Sequence, residues 1–66
     1  MKNLLKLTKD ADNKPILIGI QNIISVDRFY DPNEDTYSTR IKSRGAMIET
    51  FYVKETVEEI YEMLFI

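Results

Sequence analysis

Two kinds of hydrophobic pattern divide this chain, and together they predict five short strands followed by one helix. Up to Val53, apolar positions alternate with polar ones or form short β-branched runs, which is typical of strands. The predicted strands cover 4–8, 16–20, 23–30, 37–44 and 46–53, with polar turns between them. The pattern predicts an α+β fold, a small antiparallel β-meander or open barrel of about five strands with one C-terminal helix.

The helix is predicted by a stripe of apolar side chains near the end of the chain. Spaced at i, i+3, i+4, i+7 and i+8, the stripe consists of Val57, Ile60, Tyr61, Leu64 and Phe65. Such spacing places side chains on one helical face, so we expect the stripe to be buried against the sheet. Thr56, followed three residues later by Glu59, predicts a capping box at the helix start.

Alternation within the strands predicts which side chains share a face. Ile24 and Val26 are expected on one face of the third strand. In the fourth strand, alternation places Arg40, Lys42 and Arg44 on one face, and Arg28 of the third strand is expected beside them. Together these four residues are a candidate binding face for phosphate or an acidic partner. The alternative is a solvated face whose charges discourage pairing between strand edges. We favour this alternative, because aromatic residues are not interleaved with the basic ones along the strand.

The chain ends on four consecutive apolar residues, which is more than one helical face buries. Two of them, Met63 and Ile66, fall outside the apolar stripe. An exposed apolar end favours contact with another chain, so we predict a self-association site. Its candidate residues are Met63, Phe65, Ile66 and Tyr52. The alternative is that Ile66 folds back onto its own sheet.

Composition narrows the chemistry that the chain can perform. Its 66 residues form a single predicted domain, 1–66, with no cysteine and no histidine. Without histidine, a catalytic nucleophile would lack its commonest base, and without histidine and cysteine a zinc ion would lack its usual nitrogen and sulfur ligands. We therefore predict that the chain is not an enzyme and has no catalytic residue, cofactor or metal site. Asp31, Asn33 and Asp35 alternate like the first ligands of a calcium loop, but the motif's central glycine and distal glutamate are missing. We therefore favour a solvated turn.

Charge and hydropathy bound the partners and the location. The formal net charge of −2 argues against bulk binding of nucleic acid. No apolar run approaches the roughly 18 residues of a membrane span, so we expect no membrane insertion. The start MKNLLKLTKD lacks the apolar run and cleavage site of a signal peptide. The expected location is the cytoplasm, or a particle assembled there.

Several short motifs, taken in order, resemble the flagellar FlbD (SwrD) family of small proteins. They are LKLTK at Leu5–Lys9, KPILI at Lys14–Ile18, NIISVD at Asn22–Asp27, TRI at Thr39–Ile41 with Gly45, and VKETVEEI at Val53–Ile60. That family is implicated in flagellar motor output without catalysis, and phages encode similar proteins. The resemblance implies the same fold and a non-enzymatic role, either flagellar-motor-associated or as a phage-encoded accessory protein.

The two ends of the chain are also similar to the CsrA family of RNA-binding regulators. LKLTK and VEEIYEML, at Val57–Leu64, match the ends of that family, which has five strands and a helix in an intertwined dimer. Its glycine–x–asparagine–alanine–proline segment is absent here.

The predicted function is a protein-interaction module that forms homo-oligomers within a larger assembly. An RNA- or nucleotide-binding regulator that uses the basic strand face is the alternative, with nucleic acid the less favoured partner.

Overall fold

Two antiparallel sheets and one helix make up the computed structural model, which describes residues 3–65. The first sheet is a hairpin of the first two strands, and the second is a meander of the last three strands. The elements are β1 (Leu4–Thr8), β2 (Pro15–Gly19), a 3₁₀ turn (Ile20–Asn22), β3 (Ile23–Asp31), β4 (Thr36–Arg44), β5 (Ile48–Val53) and α1 (Val57–Phe65). The predicted α+β meander with a C-terminal helix is confirmed, and the strands of residues 3–65 form no closed barrel.

The two sheets meet where the end of β1 passes the end of β5. Lys9 and Val53 form an isolated antiparallel bridge. On either side of it, the Lys54 N–H donates to the Thr8 carbonyl and the Asp10 N–H donates to the Tyr52 carbonyl, each at 2.9 Å. These hydrogen bonds hold the hairpin and the three-stranded sheet around one shared interior.

That interior is a single small core to which both sheets and the helix contribute. Its buried apolar side chains are Leu5, Leu7, Ile18, Ile41, Val53 and Ile60. Leu5 and Leu7 share one face of β1, as the alternation in that strand predicts. Burying an aliphatic side chain of this size contributes about 1.5–3 kcal/mol, so each member matters in so short a chain.

A β-bulge at Ile24 changes which residues of β3 face the core. Ile23 lies opposite Ser43 and Ser25 opposite Lys42, so Ile24 is the extra residue. The prediction that Ile24 and Val26 share a face is wrong. Ile23 and Val26 pack against the core, and Ile24 is 45% exposed. One inserted residue exchanges the faces to which the residues before it point, and the position of such a bulge cannot be identified from a short apolar run in the sequence.

The helix begins at the predicted capping box. The Thr56 N–H donates to Glu59 Oε1 at 2.9 Å, and the Glu59 N–H donates to Thr56 Oγ1 at 3.0 Å. Glu58 and Glu59 place negative charge in the first turn, where the helix dipole favours it. The predicted capping box is therefore confirmed.

The buried face of α1 is rotated away from the predicted stripe. Ile60 is buried and Leu64 packs against the core, as expected. Tyr61 and Phe65, however, are 62% and 71% exposed, and their ring centroids lie 4.8 Å apart. Met63, predicted to lie outside the stripe, packs partly buried against the core. The expectation of burial for the two aromatic residues is wrong, because the slender aliphatic chains of α1 fill the interior.

Replacing Thr56 with alanine is expected to lower the melting temperature measurably. The substitution removes the oxygen that caps the Glu59 N–H, which costs about 1 kcal/mol. In a domain of this size that corresponds to a melting temperature roughly 4–8 °C lower, measured by circular dichroism. Thr56→Ser keeps the oxygen and is the matched control. An unchanged melting temperature for Thr56→Ala would show that the capping box does not stabilise the fold.

Candidate functional site

The side of the three-stranded sheet turned away from the core carries four of the eight residues predicted to form sites. Directly opposed residues of antiparallel strands project from the same face. Arg40 lies opposite Asp27 and Tyr52, and Arg44 lies opposite Ile48. We name this surface the outer sheet face. By register it consists of Ser25, Asp27, Phe29, Asp31, Thr36, Ser38, Arg40, Lys42, Arg44, Ile48, Thr50 and Tyr52.

Arg28 does not belong to the outer sheet face. It lies opposite Thr39, a buried residue on the core side of β4. Its guanidinium carbon lies 3.9 Å from the centroid of the Tyr37 ring, in a cation–π contact. The prediction that Arg28 adjoins the other three basic residues is therefore wrong, since neighbouring positions on a strand point to opposite faces.

Arg40 is neutralised by a carboxylate on the same face. Its Nε donates to Asp27 Oδ1 at 3.0 Å and its Nη2 to Asp27 Oδ2 at 2.5 Å. These hydrogen bonds hold the pKa of Asp27 below its ordinary value of 3.8 and raise the pKa of Arg40. The pair presents no net charge, so the positive potential of the face comes from Lys42 and Arg44.

Two aromatic rings stand beside this ion pair. The ring centroids of Phe29 and Tyr52 lie 5.2 Å apart, tilted by 53°. The Arg40 guanidinium carbon lies 5.3 Å from the Phe29 centroid. Aromatic and basic residues are thus neighbours across the strands, although they are not interleaved along β4. Phe29 was missed in sequence reasoning because only the strand register places it here.

The two ends of the outer sheet face carry opposite charge. At one end, neither Lys42 nor Arg44 forms an ion pair within the described part of the chain. At the other end, a groove beside Phe29 and Tyr52 is lined by three carboxylates, those of Asp10, Asp31 and Glu34. The first and last residues of β4, Thr36 and Arg44, lie at these two ends. They are about 26 Å apart along the strand, at roughly 3.3 Å per residue. Lys9 also lines the groove, but its Nζ lies 3.5 Å from Asp12. Asp10 Oδ1 lies 3.9 Å from Lys54 Nζ, so the negative charge of this end comes mainly from Asp31 and Glu34.

The polar loop after β3 is held in place by hydrogen bonds between its own residues. The Asn33 N–H donates to Asp31 Oδ1 at 2.9 Å. The Tyr30 hydroxyl donates to the Asp35 carboxylate, which raises the pKa of Tyr30. Among residues 3–65, no three acidic side chains are grouped so that they could hold a metal ion. The loop is built as a turn in which Asp35 adopts a φ of 53°.

The predicted self-association residues do not form one cluster. Tyr52 lies on the outer sheet face and is 41% exposed. Phe65 is exposed on α1, which packs on the opposite side of the sheet. Met63 packs against the core of its own chain, so its predicted role at a subunit contact is corrected. Ile66 lies outside the described residues. The exposed pair on the helix is instead Tyr61 with Phe65.

Acidification is expected to weaken the fold through the Asp27–Arg40 pair. Because the pKa of Asp27 is lower in the folded state, its carboxylate stabilises the fold above pH 3.8, and this contribution is lost as the pH falls through the lowered pKa. Urea unfolding below and above pH 3.8 should therefore show a smaller loss of stability for Arg40→Gln than for the wild type. Lys6→Gln is the charge-matched control and should behave as the wild type. Equal losses for all three proteins would contradict the pair's role.

Within residues 3–65, no helix is long and apolar enough to cross a membrane. Comparison of the chain with protein-family models, with curated proteins and with solved structures found no match.

Proposed function

We propose that the chain is a non-enzymatic protein-interaction module that pairs with a second copy of itself through the outer sheet face. The observation that carries the proposal is the opposite charge at the two ends of that face. In a two-fold symmetric pair, one surface contacts its own copy in reverse direction. The basic end, with Lys42 and Arg44, then lies against the partner's acidic end, and the same contact occurs twice.

The middle of the face suits burial in such a contact. Tyr52 lies there opposite Arg40, and Ile48 lies toward the basic end, opposite Arg44. Both are exposed apolar side chains, and tyrosine is enriched in the buried parts of interfaces. The charged side chains between the two ends, Asp27 and Arg40, already satisfy one another. Covering the middle of the face therefore leaves no uncompensated buried charge, which would otherwise oppose association.

The family resemblance supports a place for the self-associating module in a larger assembly. FlbD-like proteins are implicated in flagellar motor output without catalysis, and phages encode similar proteins. On that basis we place the module in the cytoplasm, or in a particle assembled there, as a flagellar-motor-associated or phage-encoded accessory protein.

Sedimentation equilibrium over a range of protein concentrations tests the proposal. The wild type should associate, and Ile48→Ser with Tyr52→Ser should weaken the dimer at least about tenfold, since each tenfold change corresponds to about 1.4 kcal/mol. The matched control, Tyr61→Ser with Phe65→Ser, removes a pair of exposed apolar side chains from the helix and should leave association unchanged. A wild type that stays monomeric at high micromolar concentration would refute the proposal.

Single-stranded RNA is the second candidate ligand of the outer sheet face, and the neighbouring rings of Phe29 and Tyr52 are what favour it. Bases stack on exposed aromatic side chains beside a positively charged track. Fluorescence anisotropy with a pool of short RNAs tests this reading. Binding that falls steeply with added salt, and that is lost with Lys42→Glu and Arg44→Glu, would establish RNA as a ligand. Absence of binding at physiological salt is the result that the protein-interaction proposal predicts.

A further inference from the structure

The side of α1 turned away from the core carries a line of aromatic and acidic side chains. Glu58, Tyr61, Glu62 and Phe65 are spaced at i, i+3, i+4 and i+7, which places them on one face of the helix. All four are exposed, whereas Ile60, on the opposite face, is buried. We name this surface the outer helix face. Because α1 packs on the core side of the sheet, the proposed pairing through the outer sheet face leaves the outer helix face uncovered.

Tyr61 and Phe65 form an apolar patch on this face. Their exposed fractions are 62% and 71%, and their ring centroids lie 4.8 Å apart, tilted by 42°. Single exposed apolar side chains are ordinary on a protein surface, but neighbouring ones that form a patch mark an interaction site more often. Aromatic residues are also enriched in protein interfaces. The charge around the two rings decides which partner suits them.

Every charged residue of α1 is acidic. The helix contains Glu58, Glu59 and Glu62 and no lysine or arginine. Glu58 and Glu62 stand one turn apart, a spacing at which like charges destabilise a helix. Neither of these two side chains forms an ion pair or a hydrogen bond within residues 3–65. A positive charge brought to this face would therefore relieve a repulsion that the described part of the chain leaves in place.

The cations nearest to the helix start have partners of their own. Arg28 and Lys54 line a recess together with Glu58. The Arg28 guanidinium carbon lies 3.9 Å from the centroid of the Tyr37 ring, and Lys54 Nζ lies 3.9 Å from Asp10 Oδ1. Within residues 3–65, neither cation forms an ion pair with Glu58. The carboxylates of the outer helix face are therefore available to a cation from another molecule.

We propose that the outer helix face binds a basic segment of another protein, in which arginine or lysine side chains flank apolar ones. The apolar side chains of the segment cover the rings of Tyr61 and Phe65, and its cations pair with the carboxylates of Glu58 and Glu62. Arginine suits both parts of the face, since it pairs with carboxylates and also packs against aromatic rings.

The same charge disfavours other partners that could cover exposed aromatic rings. Nucleic acids and anionic membranes are negatively charged, so the carboxylates of the outer helix face repel them. A second copy of this face carries the same negative charge, and a two-fold symmetric contact would place like charges together. A basic protein segment is the partner that both the rings and the carboxylates favour.

Titration of the ¹⁵N-labelled protein with synthetic peptides, followed by amide chemical shifts at constant ionic strength, tests the proposal. From Glu58 to Phe65 the helix rises only about 10 Å, so a short peptide covers the face. The probe is a short amidated peptide of alternating arginine and leucine. One control peptide has serine in place of leucine, and the other has glutamate in place of arginine.

The arginine–leucine peptide should cause saturable shifts centred on the amides of Tyr61, Glu62 and Phe65. The arginine–serine peptide should bind at least about tenfold more weakly, because it cannot cover the two rings. The glutamate–leucine peptide should not bind. Shifts that fail to saturate, or equal binding of the arginine–leucine and arginine–serine peptides, would overturn the proposal.

Matched variants separate this face from general attraction of a basic peptide to an acidic protein. Glu58→Gln with Glu62→Gln should weaken binding of the arginine–leucine peptide at least about tenfold. Asp12→Asn with Glu49→Gln removes the same charge from exposed positions outside the outer helix face and should leave binding unchanged. Equal weakening by the two pairs of substitutions would contradict the assignment of the site.

Tyr61→Ala with Phe65→Ala removes both rings and keeps good helix formers, so the spectrum should stay dispersed while peptide binding is lost. Self-association of this variant should match that of the wild type. Loss of its self-association would assign the outer helix face to a second copy, and binding of the wild type to phosphatidylserine vesicles through these rings would assign it to a membrane. Either result would overturn the proposal.

Discussion

Replacing Ile60 with alanine is expected to lower the free energy of unfolding by about 2–5 kcal/mol, the range for truncating a buried aliphatic side chain. Ile60 is 1% exposed and belongs to the same core as the hairpin residue Leu7 and the sheet residue Ile41. A chain of this length has a total stability of roughly 3–10 kcal/mol. The substitution should therefore leave the domain close to unfolding, which urea unfolding followed by circular dichroism measures.

The neighbouring residue gives a sharp control for this prediction. Tyr61 belongs to the apolar stripe predicted from sequence, yet it is mostly exposed and touches Phe65 on the surface of α1. Tyr61→Ala should cost less than about 1 kcal/mol, as expected for a surface substitution. If Tyr61→Ala proved as damaging as Ile60→Ala, the helix would be buried on the face that the sequence pattern indicates.

This contrast shows how far periodicity predicts a helix and where it stops. Apolar spacing and the capping box predict both the existence of α1 and its start at Thr56. The buried face could not be assigned, because α1 is apolar on both flanks of Ile60, with Tyr61 on one side and Met63 on the other. The choice between the flanks is made by the narrow interior between the two sheets, and no local pattern in the chain describes that space.

Replacing Glu55 with alanine is expected to destabilise the fold by about 1.5–3 kcal/mol, the range for hydrogen bonds to a charged group. Glu55 Oε1 accepts a hydrogen bond from the Thr8 N–H at 2.8 Å, and Oε2 accepts one from Thr8 Oγ1 at 2.9 Å. The two bonds fasten the end of β1 to the segment just before α1. Their loss should lower the urea midpoint and speed hydrogen exchange at the Thr8 amide.

Two variants separate this clamp from a general effect of removing charge. Glu55→Gln keeps one carbonyl oxygen as an acceptor and should lose less stability than the alanine variant. Glu58→Ala removes an exposed carboxylate from the first turn of α1 and should have a small effect. Unchanged exchange at Thr8 in Glu55→Ala would show that the clamp does not hold the hairpin.

Contacts between distant parts of the chain mark the limit of sequence reasoning for the candidate site as well. Alternation along β4 correctly predicts that Arg40, Lys42 and Arg44 share one face. It could not reveal the Asp27 carboxylate that neutralises Arg40, since this depends on the register between β3 and β4. The register also turns Arg28 to the core side and brings Phe29 beside Tyr52. Charge pairing and aromatic contact were therefore visible only in the folded sheet.

The central claim, that opposite charges on the outer sheet face pair two copies of the chain, is tested most directly by a mixing experiment. One variant carries Lys42→Glu with Arg44→Glu, and the other carries Asp31→Lys with Glu34→Lys. In each variant alone, a symmetric pair would place like charges together at both contacts. In the mixed pair, both contacts again join opposite charges.

Sedimentation equilibrium at low salt should therefore find each variant monomeric alone and dimeric when the two are mixed in equal amounts. Added salt should weaken the mixed dimer, because the contacts at the ends of the face are exposed to solvent and are screened. Variants that dimerise as well alone as the wild type, or a mixture that stays monomeric while the wild type dimerises, would contradict the claim.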